Sequence, residues 1–201
     1  MSSAMSRIGN SPISADDLQD NSWVSESMQG NSRAFNRLVL KWEKAIYNLA
    51  LRMLQDREEA SEATQEVFLA AFRGIRRFRQ DSKFSTWLYR IALNHCISRI
   101  KQRPPGIHLS VDACEASARP IDELAVIGSQ PGELLRAEQR QRVLGAMARL
   151  LPEQQAVIEL KFFQEMTFED IAEVLGVPIS TIKSRFYAGL EMLRNRLGDR
   201  E

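Results

Sequence analysis

The chain has 201 residues, of which 44% are hydrophobic and 26% charged, and its formal net charge at pH 7 is +1. These proportions are those of ordinary globular domains, and the length suits one large domain or two small ones. No apolar run approaches the roughly 20 residues that span a bilayer, and the N-terminus lacks the apolar core of a signal peptide. The composition therefore argues against direct membrane insertion and predicts a protein of the reducing cytoplasm.

The N-terminal half begins with a polar stretch and continues with helical patterning. Residues 1–22 are rich in Ser, Asn and Asp, and this composition predicts a disordered tail. Over residues 23–103 apolar side chains recur at helical spacing, which predicts a bundle of successive helices. Asn31 and Asp56 are the expected N-caps, and Pro104-Pro105-Gly106 is expected to end the last helix of this domain.

The chain then changes character before helical signals return. Residues 104–132 contain several prolines, lean acidic and show no clean periodicity, which is typical of an interdomain linker. In residues 133–201, Pro152 is expected to begin a helix, and Thr167 with Asp170 forms a cap-like start for another. No segment shows convincing β periodicity, so an all-α fold is expected.

The residues from Thr167 onward meet the requirements of a helix-turn-helix. Ala172 is small enough for two helices to cross, Gly176 can adopt positive φ in the turn, and Ile182 can anchor the second helix in a shared core. The other face of that helix offers short polar side chains and bases, which suit base edges and phosphates in the major groove. A short αα-hairpin with an ordinary solvated face is the alternative. The predicted architecture is thus two small helical domains, an N-terminal bundle and a C-terminal helix-turn-helix, joined by a flexible linker.

Charge is unevenly distributed within the N-terminal domain. Residues 56–66 carry five acidic side chains against Arg57, whereas residues 73–103 carry nine basic side chains against Asp81. An acidic block followed by a basic block predicts two different partners on one domain.

A helical wheel of residues 82–103 separates apolar residues on two sides from a narrow polar seam. Bases beside an aromatic ring suit single-stranded nucleic acid, because the charges follow the phosphates and the ring stacks on an unpaired base. For Trp87 and Phe84 the alternative is that both rings belong to the core. The seam consists of Lys83, Arg90, Asn94, Ser98 and Lys101, with Trp87 at its border.

Three stretches carry a resemblance to one family: DREEASEATQEVFLAAF, FRQDSKFSTWLYRIALNHCISRIKQR and LPEQQAVIELKFFQEMTFEDIAEVLGVPISTIKSRFYAGLEMLR. In this order they resemble the extracytoplasmic-function (ECF) sigma factors of bacterial RNA polymerase. The first is similar to the family's polymerase-binding segment, the second to its segment for −10 reading and promoter melting, and the third to its −35-binding domain. Ser61 and Ala63 depart from the family's usual Glu and Leu. The resemblance covers residues 23–103 and 134–197.

The resemblance implies a promoter-specificity subunit and gives roles to three sets of residues. Docking on the clamp coiled coil of the polymerase largest subunit is implied for Asp56, Glu59, Glu62, Gln65, Glu66 and Phe68. Binding and melting of the −10 element is implied for Phe78, Arg79, Lys83, Phe84, Trp87, Arg90, Asn94, Ser98 and Lys101. Binding of the −35 element is implied for Ser180, Thr181, Lys183, Ser184, Arg185 and Tyr187. Many members carry an arginine where this chain has Ala188, which implies a changed or relaxed −35 preference.

The same resemblance implies the partners: core RNA polymerase, promoter DNA and an anti-sigma factor. No cofactor, metal or small-molecule substrate is expected. His95 and His108 lie in no catalytic or metal-ligand arrangement, and Cys96 and Cys114 lie in no metal-ligand spacing, so an enzyme is not expected. The alternative is a helix-turn-helix regulator that acts without stable polymerase association. That alternative explains the C-terminal domain but leaves the charge order of residues 56–103 unexplained.

Overall fold

The computed structural model describes residues 15–103, 139 and 141–198 of the chain. These residues form helices, turns and connecting segments with no β-strand among them, so the predicted all-α class is confirmed. The N-terminal domain consists of α1 (Ala15–Met28), α2 (Ser32–Leu54), α3 (Arg57–Gly74), a 3₁₀ turn (Ile75–Arg77) and α4 (Phe84–Gln102). In the C-terminal domain, residues 141–147 are helical and precede α5 (Pro152–Phe162), α6 (Phe168–Leu175) and α7 (Ile179–Gly198).

Local sequence signals fix most of the helix ends. The Asn31 side chain accepts hydrogen bonds from the backbone N–H groups of Arg33 and Ala34, and it thereby caps α2. Asp56 caps α3 in the same way. At α6, Thr167 and Asp170 form a reciprocal capping box. Each of these caps satisfies backbone donors that the first turn of a helix leaves without partners.

The first helix corrects the prediction of a disordered tail over residues 1–22. Residues 15–22 belong to α1, while residues 1–14 lie outside the described part of the chain. The helix is polar in sequence, but tertiary contacts hold it: Val24 is fully buried, and Asp20 accepts hydrogen bonds from Lys41 and Trp42 of α2. Composition alone missed this helix because its stability comes from packing and not from its own apolar content.

The N-terminal core lies between α2, α3 and α4. Large aliphatic side chains such as Leu38, Leu49 and Leu88 are fully buried there. On α3 the buried positions facing them are largely small, including Ala60 and Ala63, which allows the helices to approach closely. Ala63, where the family's usual residue is Leu, is therefore a packing residue of this core.

The C-terminal domain packs α5, α6 and α7 around a second apolar centre. Ile158, Val174 and Ile182 are buried in it, as the predicted helix-turn-helix requires. Gly176 ends α6 with φ of +66°, a left-handed conformation that costs any residue with a Cβ about 1–2 kcal/mol. At Gly189 an added Cβ would lie 2.8 Å from Ile158 Cδ1, so a larger residue there would require the Ile158 side chain to shift where α5 and α7 cross.

The two domains pack against each other, a feature that the sequence did not predict. Helices α2 and α4 contact α5, and α4 also contacts α6. Gln155 of α5 donates hydrogen bonds to the carbonyls of Arg52 and Met53, which lie in the last turn of α2. The proposed linker, residues 104–132, lies outside the described residues, as do residues 133–138.

Candidate polymerase and promoter DNA interfaces

One long edge of α3 presents the acidic residues that the sequence singled out. Glu62, Gln65 and Glu66 are exposed and share one face of the helix. Asp56 and Glu59 lie nearer the domain body and are half-buried. The Asp56 carboxylate accepts the Glu59 N–H at 2.8 Å, so its role within this domain is to cap α3.

Basic residues of α4 line this acidic edge, which we call the α3 edge (residues 59, 62, 65 and 66). Arg99 pairs with Glu62 at 3.2 Å and with Glu66 at 2.9 Å, and Arg103 pairs with Glu59 at 2.6 Å. Partial burial alone would lower the pKa of Arg99, but its hydrogen bonds to Glu66 and Glu62 raise that pKa above the usual value. The acidic and basic blocks of the sequence therefore meet, and Arg99 and Arg103 of the basic block neutralise part of the α3 edge in the free chain.

Phe68, which the resemblance assigns to polymerase docking, lies in the core of the domain. Only 9% of it is exposed, so its ring supports the domain interior. The neighbouring Leu69 and Phe72 are about half exposed, at 53% and 50%, and extend the α3 edge with apolar surface. Sequence reasoning missed them, although their spacing from Gln65 and Glu66 by three to six residues places them on the same side of the helix.

The aromatic residues assigned to the −10 element form a cluster inside the N-terminal domain. Phe78 and Phe84 are 6% and 2% exposed, which for Phe84 is the core placement that the sequence left open as an alternative. Their rings lie 4.9 Å and 5.8 Å from the Trp87 ring, which is partly exposed. The two phenylalanines thus hold Trp87, and Trp87 is the aromatic that the structure leaves accessible at the seam.

The polar seam of α4 exists as the helical wheel predicted it. Arg90, Asn94, Ser98 and Lys101 are exposed along one side of α4, and Lys83 precedes the helix. In the loop before the seam, Arg79 is mostly exposed and pairs with Asp81 at 3.1 Å. The seam therefore forms one line on the surface that contains basic side chains, an amide, a hydroxyl and one indole ring.

The second helix of the helix-turn-helix also presents the predicted face. The exposed residues are Ser180, Lys183, Ser184 and Tyr187, and Thr181 and Arg185 are half-buried beside them. The Ser184 hydroxyl donates to the Thr181 carbonyl at 3.0 Å. Beneath this face, the ring of Phe186 contacts those of Phe162, Phe168 and Tyr187, which fixes the orientation of α7 on the domain.

A buried ion pair joins the two domains behind these surfaces. Arg52 of α2 binds Glu159 of α5 with two hydrogen bonds, of 2.8 and 2.6 Å, and Glu159 is fully buried. Burial raises the pKa of Glu159, and the bonds from Arg52 and Gln164 oppose that rise. Tyr89 of α4 donates to Gln164 at 2.6 Å, and burial raises its pKa to about 12.

We also searched the described residues for a metal site and for a membrane-spanning helix. No group of three or more His, Cys, Asp or Glu residues is arranged there to hold a metal ion. Across residues 15–103 and 141–198, no helix is long and apolar enough to cross a membrane. Cys96, predicted to be a small buried hydrophobe, is fully buried.

The fold and its surfaces define a two-domain transcription initiation factor. They combine a helical bundle that carries the α3 edge and the α4 seam with a C-terminal helix-turn-helix. Family models agree with this class over most of the described chain: Sigma-70 region 2 matches residues 38–104, and Sigma-70, region 4 matches residues 140–193. The chain belongs to the ECF sigma factors, which bind RNA polymerase and direct it to promoters. A regulator without polymerase association is not favoured, because it leaves the region 2 match unexplained.

Curated relatives support the family over nearly the whole chain. The RNA polymerase sigma-H factor of Pseudomonas aeruginosa is 34% identical over 183 residues, which are 89% of this chain and 94% of that protein. The ECF sigma factor SigW of Bacillus subtilis is 32% identical, covering 88% of this chain and 95% of its own length. The ECF sigma-E factor of Escherichia coli K12 is 30% identical, and the match covers 91% of this chain and 96% of that protein.

Solved structures support the fold. CnrH in complex with the cytosolic domain of CnrY matches with a TM-score of 0.66 at 22% identity, covering 91% of this chain and 99% of that one. The sigma factor RpoE in complex with the anti-sigma factor NepR from Bartonella quintana matches with a TM-score of 0.59 at 23% identity, covering 83% and 98%.

Proposed function

We propose that this sigma factor divides its work among three surfaces. The α3 edge docks on the clamp coiled coil of the polymerase largest subunit, the α4 seam binds the melted −10 strand, and α7 reads the −35 element. Exposure of the α3 edge is the observation that carries the assignment to polymerase, because Glu62, Gln65 and Glu66 point outward while the opposite face of α3, including Ala63 and Val67, packs inward. Domain boundaries at residues 103/104 and 132/133 belong to the same proposal.

Polymerase makes weak contacts with DNA effective by holding both domains together. Each domain alone buries little surface on DNA, but tethering converts the second contact into an intramolecular one. At the −10 element, an unpaired base that stacks on Trp87 offsets part of the few kcal/mol needed to unstack it. The bases and amides of the seam bind phosphates and fix the strand, while specificity comes from the captured base and from α7.

The partners and the place of action follow from this division. Two structural relatives were solved with partner proteins, one of them named as an anti-sigma factor. An anti-sigma factor that holds this chain until a signal arrives completes the proposed partner set with core polymerase and promoter DNA. The chain carries no catalysis of its own in this scheme, and it works in the cytoplasm with polymerase.

Glu66→Lys tests polymerase docking. The change reverses one charge of the α3 edge and places a lysine beside Arg99, which bonds Glu66 in the free chain. We expect co-purification with core polymerase and run-off transcription from a cognate promoter both to fall at least about tenfold, since loss of a well-placed charge contact costs 2 kcal/mol or more. Glu43→Lys on α2 reverses the same charge at another exposed position and serves as the control. Equal binding by both variants would remove the α3 edge from the proposal.

A further inference from the structure

Three side chains of α4 form a row that faces the acidic α3 edge. His95, Arg99 and Arg103 are spaced by four residues, so they lie on one side of α4. At one end of the row, Arg103 pairs with Glu59 near the start of α3 at 2.6 Å. At the other end, Nδ1 of His95 lies 3.5 Å from Oε2 of Glu66. The row therefore follows the α3 edge from residue 59 to residue 66.

Arg99 lies at the centre of this row and binds two acidic side chains at once. Its Nη1 lies 3.2 Å from Oε2 of Glu62, and its Nη2 lies 2.9 Å from Oε1 of Glu66. A guanidinium presents its N–H donors in a rigid planar fork, so the two contacts fix the carboxylates relative to each other. Like charges four residues apart on one helix repel. Arg99 thus holds side by side two groups that would otherwise spread apart.

The exposed fractions of the three side chains show which of them lies underneath. The Arg99 side chain is 23% exposed, whereas those of Glu62 and Glu66 are 62% and 49% exposed. The base therefore lies beneath the carboxylates, which face the solvent. An ionised carboxyl group has about four acceptor sites. Because Arg99 binds one oxygen of each, both acids keep acceptor sites for the donors of a second molecule.

These ion pairs matter more for binding than for folding. Pairs of partly exposed side chains contribute little to the stability of a domain. A binding partner, however, loses affinity for every flexible side chain that it has to immobilise. Since Arg99 already orders Glu62 and Glu66 in the free chain, a partner that binds both carboxylates avoids part of that loss.

Arg99 also has an effect that opposes docking. Its positive charge neutralises part of the α3 edge, and a basic partner is attracted more weakly to an edge with less negative charge. Long-range attraction of this kind acts mainly on the association rate, whereas short-range contacts act mainly on the dissociation rate. The two effects of Arg99 can therefore be measured separately.

The seam on the other side of α4 takes no part in the row. Arg90 donates to the backbone carbonyls of Glu173 and Val174 in α6, and Lys101 pairs with Glu153 of α5 at 2.6 Å. Different neighbours thus engage the two sides of α4, so a substitution in the row leaves the contacts of the seam in place.

We propose that Arg99 is a positioning residue for polymerase docking: it holds the carboxylates of Glu62 and Glu66 in the arrangement that the clamp coiled coil binds. This inference rests on the proposed docking of the α3 edge. Arg99 acts through the two acids above it and does not itself contact polymerase. Its removal therefore weakens docking, even though it makes an acidic surface more acidic.

The test measures the association and dissociation rates of the full chain on immobilised core polymerase. We expect Arg99→Gln to dissociate about tenfold faster and to associate at most about twofold faster, so that affinity falls about fivefold. Arg99→Lys keeps the charge but replaces the fork with a compact ammonium group. It should associate as wild type does and dissociate about three- to fivefold faster.

A second comparison asks whether Arg99 acts through the two acids. In a chain that carries Glu62→Ala and Glu66→Ala, the further change Arg99→Gln should alter the dissociation rate less than about twofold, because no carboxylate is left to hold. A tenfold effect that persists in this background would show that Arg99 contacts polymerase directly, and it would overturn the positioning role.

Two controls separate positioning from charge and from folding. Arg37→Gln removes the same charge from an exposed position of α2 and should leave both rates within about twofold of wild type. Urea unfolding followed by circular dichroism shows whether each variant folds. If Arg99→Gln does not fold, Arg99→Lys still decides the question, because its expected change is in the dissociation rate alone.

The outcomes distinguish this inference from the docking proposal. Faster dissociation of both Arg99 variants, absent in the alanine background, supports positioning. Tighter binding by Arg99→Gln would show that Arg99 competes with polymerase for the acids, and wild-type dissociation of Arg99→Lys would show that charge alone matters. Either result overturns the inference, while docking stands if Glu66→Lys binds more weakly than Glu43→Lys. Equal binding by those two variants removes both proposals.

Discussion

At the scale of single residues, the structure separates the aromatic side chains of the N-terminal domain into buried and exposed ones. Phe68, Phe78 and Phe84 are interior residues that hold neighbouring surface residues in place. Trp87 remains partly exposed on top of the two phenylalanines of the −10 cluster. The proposed stacking of an unpaired base at the seam therefore depends on one ring.

Replacement of that ring tests the melting role. Trp87→Ala removes the surface on which a flipped base would stack, so we expect open complexes to fall about tenfold more than closed complexes, given about 1–3 kcal/mol per stacked base. Potassium permanganate footprinting measures opening and gel-shift assays measure closed complexes. Trp87→Phe, which keeps an aromatic ring on Phe78 and Phe84, should recover part of the activity. An equal loss of both complexes in Trp87→Ala would mean that the ring only supports the fold.

Cys96 gives a second residue-level prediction. Burial raises the pKa of its thiol from 9.0 to about 12; Arg99 lowers it less and Glu159 adds a smaller rise. In a Cys114→Ser chain the thiol should not react with Ellman's reagent at pH 8 until denaturant exposes it. Because the folded-state pKa is raised, the contribution of Cys96 to stability is complete below about pH 9 and declines as the pH rises toward 12. Rapid reaction of the native chain would contradict its burial.

At the scale of helices, the fold follows from caps, small residues and close crossings. The caps at Asn31, Asp56 and Thr167 involve residues within a few positions of each other, so the sequence predicted them. The crossing of α5 and α7 depends on residues 31 positions apart, Ile158 and Gly189, and was visible only in the structure.

That crossing can be tested by a rescue. Gly189→Ala places a Cβ 2.8 Å from Ile158 Cδ1, the free end of that side chain, so Ile158 has to shift and we expect a loss of about 1 kcal/mol, the lower end for overpacking. Ile158→Val removes the colliding methyl group, so the double variant should be more stable than Gly189→Ala alone. Urea unfolding followed by circular dichroism measures each free energy. If Gly189→Ala retains wild-type stability, the crossing has room that the distance does not suggest.

Structural features could be predicted from the sequence when the residues that form them lie close together in the chain. Caps, the glycine turn and the polar seam depend on residues within one or two helical turns, and all of these were predicted. Helix α1 was missed because Asp20 and Val24 are held by distant partners. The sequence left open whether Phe84 lies in the core, because spacing cannot tell an inward ring from an outward one, and the structure buries it. The pair of Arg52 and Glu159 spans 107 positions and left no local signal.

At the scale of the whole molecule, the packing of the two domains is the dominant feature. Polar contacts supply much of this interface, including the Arg52–Glu159 pair and the bond from Tyr89 to Gln164. Such interfaces resemble transient protein contacts, whose polar groups are readily rehydrated when they separate. The two domains can therefore pack against each other and still separate.

This coupling should be visible in unfolding. Domains that share a closed interface unfold together, so wild type should give one calorimetric transition, whereas Arg52→Leu should give two because the stranded Glu159 uncouples the domains. The Arg52→Leu/Glu159→Leu variant should return to a single transition. Two transitions in wild type would show that the domains already unfold independently in solution.

The contact of Arg90 with α6 has a genetic consequence. Its acceptors are backbone carbonyls at Glu173 and Val174, which every amino acid provides, so substitutions at these two positions leave the acceptors in place. Substitutions at Arg52, Glu153 and Glu159, where side chains make the contact, should therefore weaken the packing of the two domains, and substitutions at 173 or 174 should weaken it little.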